Sequence, residues 1–236
     1  MRVRHKPWAQ DLINAHPEWV IQTPEEHAGH WQALFAEDKP LHVEVGTGKG
    51  QFIIEMAKAH PEWNFVGIEM QSDVLVMALQ QVLDNEPLTN LRFVRSDGQH
   101  IDQFFMIGEV SQLYLNFSDP WPKRRHAKRR LTHPDFLKHY QQVLATDGSL
   151  IFKTDNRGLF EYSLCSFSQF GMQLVDVSLD LHHSHFVGNI TTEYEDKFSA
   201  KGQPIYRVEA IFNTAGALAQ DEALGISATF HQHQTD

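Results

Sequence analysis

The chain has one cysteine, Cys165, in 236 residues, so it can form no internal disulfide. That removes the disulfide-stapled class and fits a reducing compartment. Basic side chains are also scarce, 20 Lys and Arg against 30 Asp and Glu, for a formal charge of -10. A protein that coats a polyanion over its whole surface would not carry that balance. No apolar run reaches membrane-spanning length, and the stretch Trp8-Ala9-Gln10-Asp11 is too polar for a secretory leader. The expectation is a soluble, cytoplasmic chain with no membrane partner. What is plentiful is core material: 42% hydrophobic and 11% aromatic residues suffice for one α/β domain or two small ones.

The few cations are gathered rather than spread. Lys123, Arg124, Arg125, Lys128, Arg129 and Arg130 lie within eight residues, and Arg2, Arg4 and Lys6 form a second group at the N-terminus. Such a distribution points to local contact with phosphate, although a basic run can also be a solvated face. The first group is preceded by a lone carboxylate, Asp119, set in Asn116-Phe-Ser-Asp119-Pro120-Trp121-Pro122. Trp121 reads either as a stacking platform for a base or as an anchor stiffened by its flanking prolines.

Strand and helix patterns alternate along the chain. Apolar strands are expected at residues 41–45, 64–69, 91–94, 112–116, 150–155, 174–177 and 205–212, with amphipathic helices after the first, second, fourth and fifth of them. Asp147-Gly148 reads as the stop of the helix built on Phe136, Leu137, Tyr140, Val143 and Leu144. This order implies an α/β, doubly wound, mostly parallel seven-stranded sheet with helices on both faces. Residues 1–213 are expected to form one domain with a basic N-terminal arm, and 214–236, ending His231-Gln232-His233-Gln234, a tail. In such sheets ligands bind beyond the carboxyl ends of the strands, so Glu44, Glu69, Asp97, Asn116, Asp119 and Asp155 are expected to face one cleft.

The turn after the first strand is Gly46-Thr47-Gly48-Lys49-Gly50. Gly46 and Gly48 let the backbone turn tightly and approach a ligand, but the spacing matches neither the dinucleotide fingerprint nor the phosphate loop. Glu44 sharpens the reading, because a carboxylate there repels pyrophosphate and suits a cationic ligand such as S-adenosylmethionine. Glu69 then stands where a carboxylate accepts ribose hydroxyls, and Asp97 where one accepts an adenine amino group. Each acid alone also reads as a strand end or a helix cap.

With these residues in place, the chain resembles the class I S-adenosylmethionine-dependent methyltransferases, and within them the bacterial tRNA guanine-N7 methyltransferases. The resemblance is carried by residues 2–9 (Arg-Val-Arg-His-Lys-Pro-Trp-Ala), 43–50, 116–131, Thr154-Asp155-Asn156, and Thr192-Glu193-Tyr194-Glu195-Asp196-Lys197-Phe198. It implies a Rossmann-like fold, S-adenosylmethionine as methyl donor, and tRNA as partner, modified at a guanine of the variable loop, position 46. It further implies that Glu44, Gly46, Gly48, Glu69, Asp97, Asn116 and Asp119 surround the donor and that Asp119 is catalytic. Lys123, Asp155, Thr192, Glu193, Tyr194 and Glu195 match positions that hold the substrate. The two cationic groups are then expected to neutralise RNA phosphates.

Other features carry less. His182, His183 and His185 lack an accompanying CxxC or HExxH pattern, so they read as incidental residues of a flexible loop and no metal is expected. Met70 and Met77 read as core. No obligate protein partner is expected, and both a monomer and a homodimer fit. A non-catalytic RNA-binding protein on this sheet, and a methyltransferase of small molecules or proteins, are the competing classes. The paired cationic groups disfavour the second, and the acids around the glycine turn disfavour the first.

Overall fold

A computed structural model describes residues 5–213. The expected contributions of Arg2 and Arg4 and of the 214–236 tail lie outside the described residues. Eight strands form one sheet: β1 (Val20–Ile21), β2 (Leu41–Val45), β3 (Asn64–Ile68), β4 (Leu91–Val94), β5 (Val110–Asn116), β6 (Leu144–Thr154), β7 (Met172–Ser178) and β8 (Tyr206–Phe212). Their spatial order is β1-β4-β3-β2-β5-β6-β8-β7. The first six strands in that order are parallel, while β8 runs antiparallel to both β6 and β7. The sheet is therefore doubly wound and mostly parallel as expected, with one strand more than the seven read from the sequence. The extra strand is the two-residue β1, which pairs with Phe93 and Val94 at the sheet edge and is too short to show a period.

Side-chain alternation divides the core into two layers. Val43, Val45, Val66 and Ile68 point to one face of the sheet, where they meet α4 (Ile101–Phe104), α5 (Pro134–Val143) and α6 (Arg157–Phe170). Phe65 and Phe93, together with Tyr114, point to the other, against α1 (Ala9–Ala15), α2 (Gln51–Ala59) and α3 (Ser72–Leu83). That second face carries polar residues where the strands end. Glu44, Asn116 and Lys153 stand on β2, β5 and β6 and are all buried.

The helix α5 stops at Val143, four residues before the expected Asp147-Gly148 signal. Leu144 already pairs with Val110, and pairing resumes only at Ser149 with Gln112, so Asp147 and Gly148 occupy the irregular stretch between the two ladders. A short final helix, α7 (Glu193–Ser199), was also hidden in the sequence. Among the described residues no helix is long and apolar enough to cross a membrane.

Candidate active site

The parallel strands β2 to β6 end on one side of the sheet, and two cavities open there. The first, about 840 Å³, is lined by residues that include Glu44, Gly48, Asn116, Thr192, Glu193 and Tyr194. The second, about 600 Å³, is lined by Glu69, Asp97, Asp119, Trp121, Lys128 and Arg129 among others. Gly46 and Phe117 border both, so the two form one cleft across the strand ends.

The glycine turn is built for close approach. Gly46 and Gly48 adopt φ of 81° and 60°, a region that L side chains rarely enter. A Cβ on Gly48 would meet nothing within 4 Å, so the space beside it is free for a ligand. Gly50, with φ of 82°, precedes α2, and a Cβ there would come within 2.6 Å of the Ala78 Cβ on α3. It is therefore a packing glycine that lets the two helices touch. The carboxylate of Glu69 holds the turn from the neighbouring strand end, accepting from the Gly48 amide at 3.1 Å and from the Gln71 amide at 2.9 Å. Burial raises its pKa, and the nearby Asp119 carboxylate adds to the rise.

Glu44 is fully buried. It accepts from the Thr47 hydroxyl at 2.5 Å and from the Asn116 side-chain amide at 2.8 Å. Burial nevertheless pushes its pKa up to about 7, against the opposing pull of those two hydrogen bonds. The Asn116 carbonyl oxygen beside it is buried with no hydrogen-bond partner among the described residues. An orphaned acceptor next to a desolvated carboxylate calls for a cationic N–H donor, and the amino group of an aminoacyl sulfonium supplies one. The residues present thus fit the expected methyl donor. Glu44, Asn116 and the Gly46–Gly48 backbone would surround its amino acid end, and Glu69 and Asp97 its nucleoside end.

The remaining expected residues divide. Thr192, Glu193 and Tyr194 line the first cavity, where Glu193 forms an ion pair with Lys49 and Tyr194 stacks near Phe117 with ring centroids 6.3 Å apart. Asp97 faces the second cavity while its carboxylate also accepts from the Gln99 amide at 3.0 Å. Glu195 turns the opposite way. Its carboxylate is buried at 0% exposure and takes Lys153 Nζ at 2.8 Å, His182 Nε2 at 3.0 Å and Asn189 Nδ2 at 2.5 Å. It anchors α7 to the sheet instead of facing the cleft. Asp155 and Lys123 border neither cavity: Asp155 follows the last residue of β6, and Lys123 is exposed at the start of the turn Arg124–Arg129. The expectation of a single cleft thus holds for Glu44, Glu69, Asp97, Asn116 and Asp119 but not for Asp155.

The sequence hides or misleads at three places in this region. Lys153, unremarkable within an apolar strand, is 3% exposed and donates to Glu195, to the Ile190 carbonyl at 2.9 Å and to Asn189 Oδ1 at 3.1 Å. Burial lowers its pKa, with Glu195 opposing. Of the histidine stretch, His182 is not incidental, since it joins that network, while His183 makes only an exposed pair with Asp180 at 3.0 Å. Among the described residues no group of three His, Cys, Asp or Glu could hold a metal ion. Met70, read as core, is 56% exposed and lines the second cavity, whereas Met77 packs against the core as expected and also borders the first.

The loop carrying Asp119 is conformationally tense. Phe117 and Trp121 have φ of 50° and 40°, the only non-glycine residues with positive φ among those described. A bulky residue there costs on the order of 1–3 kcal/mol and persists only when its surroundings enforce it. Between them, Asp119 is exposed at the second cavity. The Arg129 guanidinium lies 4.8 Å from the centre of the Trp121 ring, and Arg130 donates to the Trp121 carbonyl at 3.0 Å. Trp121 is half-buried and lines the cavity, so it is neither a fully buried anchor nor a free platform. Arg124, Arg125 and Lys128 are exposed beyond it. Lys6 is committed differently from the expected phosphate contact: its backbone amide and Nζ donate to Asp73 on α3, each at 2.7 Å, at the rim of the first cavity.

Residues 38–208 match the family model Methyltransf_4, described as "Putative methyltransferase". A tRNA (guanine-N(7)-)-methyltransferase of Geobacillus sp. (strain WCH70) is 57% identical over 209 residues, 89% of this chain and 94% of its own length. The protein of the same name from Listeria innocua serovar 6a is 56% identical over 213 residues, covering 90% and 99%. The chain belongs to this family. Among solved structures, the 16S rRNA methyltransferase KamB superposes with a TM-score of 0.60 at 13% identity, covering 78% of this chain and 94% of its own. A 16S rRNA (adenine(1408)-N(1))-methyltransferase with cosubstrate SAM, from Catenulisporales acidiphilia, gives 0.53 at 18% identity, covering 81% and 92%. At that identity these likenesses establish the fold, the class I methyltransferase sheet, and the family membership rests on the sequence relatives.

Proposed function

We propose that the protein transfers a methyl group from S-adenosylmethionine to N7 of a guanine in tRNA, at position 46 of the variable loop. The observation that carries this reading is the junction at Asp119. It stands at the mouth of a cleft whose far wall is the buried, cation-seeking pair Glu44 and Asn116, and it is followed directly by the exposed cations Lys123, Arg124, Arg125, Lys128 and Arg129. A small-molecule enzyme has no use for that cationic strip, and a plain RNA binder has no use for a desolvated carboxylate facing a cavity.

When bound, S-adenosylmethionine supplies an electrophilic methyl on a sulfonium. Guanine N7 has an exposed lone pair and no proton, so no general base is obligatory. What the chain must supply is alignment and charge. Asp119 orients the base through hydrogen bonds from its N–H groups and offsets the positive charge that grows on the ring. Thr192, Glu193 and Tyr194, held over the first cavity by α7, support the base from the opposite side. Arg124, Arg125 and Lys128 neutralise backbone phosphates of the tRNA. The single cysteine and a tRNA substrate support a cytoplasmic place of action. Incubation with labelled S-adenosylmethionine and unmodified tRNA, followed by mapping of the methylated nucleotide, tests the proposal. Label at N7 of the variable-loop guanine is expected, and label on another atom or base would overturn it.

A further inference from the structure

Arg130 closes the basic run, and by sequence alone it is one more phosphate contact. Its surroundings are those of an internal strut. The side chain is half-buried, its Nε is enclosed with no hydrogen-bond partner among the described residues, and its guanidinium lies 4.2 Å from the centre of the Tyr162 ring on α6. One terminal nitrogen of the fork donates to the carbonyl of Trp121, nine residues earlier. That carbonyl belongs to a residue held at φ of 40°, where a tryptophan does not stay unless something fixes it. Trp121 lies two residues after Asp119, with Pro120 between them, so fixing the Trp121 peptide fixes the direction in which the Asp119 carboxylate enters the cavity.

We propose that Arg130 is a positioning residue for the reaction, holding the strained Trp121 peptide and through it Asp119, and that it is not a phosphate ligand. The proposal rests on the methyl transfer argued above. Two features of the guanidinium are needed at once, a flat face for Tyr162 and an edge that donates to Trp121. A lysine keeps the charge but provides neither the plane nor the fork. Arg129, packed on the Trp121 ring from outside, adds to the clasp at the solvent side.

The test uses the full-length protein, unmodified tRNA and labelled S-adenosylmethionine. Arg130→Ala and Arg130→Lys are compared with the wild type for kcat at saturating tRNA and donor, for tRNA Kd, and for the salt dependence of that Kd. Both variants are expected to lose about tenfold or more in kcat, the order expected when a reacting group is misplaced slightly, with Kd within about twofold and an unchanged salt slope. A raised Kd with a flatter salt slope and an unchanged kcat in Arg130→Ala would overturn the proposal, as would wild-type kcat in Arg130→Lys. If Arg130→Ala does not fold, Tyr162→Leu removes the stacking partner at a site remote from phosphate, and the same kcat loss at constant Kd is required of it. Absence of methyl transfer to tRNA by the wild type marks the failure of the proposed function, not of this inference.

Discussion

The wall around Glu44 and the loop around Asp119 hold carboxylates at opposite ends of one cleft, and they hold them by different means. Glu44 stands on a central strand, fully buried, with both oxygens bonded. Next to it, Lys153 and Glu195 tie α7 to the sheet through a buried ion pair in which all three ammonium protons find acceptors. Asp119 is exposed on a loop with two residues at positive φ, clasped by Arg129 from the solvent side and by the half-buried Arg130 from within. The difference separates two tasks. A site that receives a cationic ligand benefits from desolvation and rigidity, whereas a site that meets a large RNA must lie at the surface and take its geometry from strain that neighbours enforce.

The largest effect that would break this comparison is on the buried wall. Lys153→Met leaves the Glu195 carboxylate buried with its strongest partner gone, which is expected to destabilise the fold by about 3–5 kcal/mol. Thermal or denaturant unfolding of the variant measures it, and a loss near zero would show that His182 and Asn189 suffice to hold α7. Asp119→Asn is expected to do the reverse, leaving the unfolding midpoint unchanged while lowering the single-turnover rate by about 100-fold, the scale of removing one electrostatic partner of the transition state. Nearly full rate with donor and tRNA saturating would remove Asp119 from the chemistry.

The same contrast decides what could be read from the sequence. Residues 41–45 and 91–94 were legible as strands to the residue, and the acids at their ends could be placed in the cleft, because strand, glycine turn and helix signal themselves within a few positions. The network on Lys153 could not be read, since Glu195 lies 42 residues further along the chain and a lysine in an apolar strand shows no sign of its partner. The helix α7 was hidden for the same reason: Glu-Tyr-Glu-Asp-Lys-Phe-Ser has no apolar stripe, and the one side chain it buries fully is a glutamate. Asp155 has the address of a cleft residue, at a strand end, yet it borders neither cavity; β6 continues one residue beyond Lys153, the partner of Asn116 on β5. Arg130 looked like its neighbours because composition records charge and not the direction in which a guanidinium points.

A moderate effect is expected from the pH dependence of the Glu44 wall. Its pKa of about 7 in the folded chain stands above the ordinary value of 4.5 because burial disfavours the charged form. Below 4.5 the group is neutral folded or unfolded and costs nothing. Between 4.5 and about 7 the folded state binds the extra proton, so stability falls as pH rises through this window, and above it the full cost persists. A cationic donor placed beside Glu44 pulls that pKa back down, and donor binding near pH 6 is expected to release a fraction of a proton. Calorimetric titration of S-adenosylmethionine in two buffers of different ionisation enthalpy measures the release. Identical heats in both buffers would show that Glu44 is already ionised before the donor arrives.

The smallest effect sharpens the comparison on the RNA side. Arg124 and Arg125 are exposed in the turn Arg124–Arg129, and neither contacts Trp121 directly, Arg125 donating instead to His126, whose ring meets Trp121 edge-on. Replacing both with alanine is expected to weaken tRNA binding several-fold and to reduce the slope of log K against log salt by roughly one for each phosphate that is no longer neutralised. Because they stand outside the clasp, kcat at saturating tRNA is expected to hold. If kcat fell with the affinity, the exposed arginines and the strained loop would be one mechanical unit, and binding of the RNA backbone would itself set the position of Asp119. An unchanged salt slope would instead remove both from the RNA-facing surface and move phosphate neutralisation to Lys128 and the N-terminal arm.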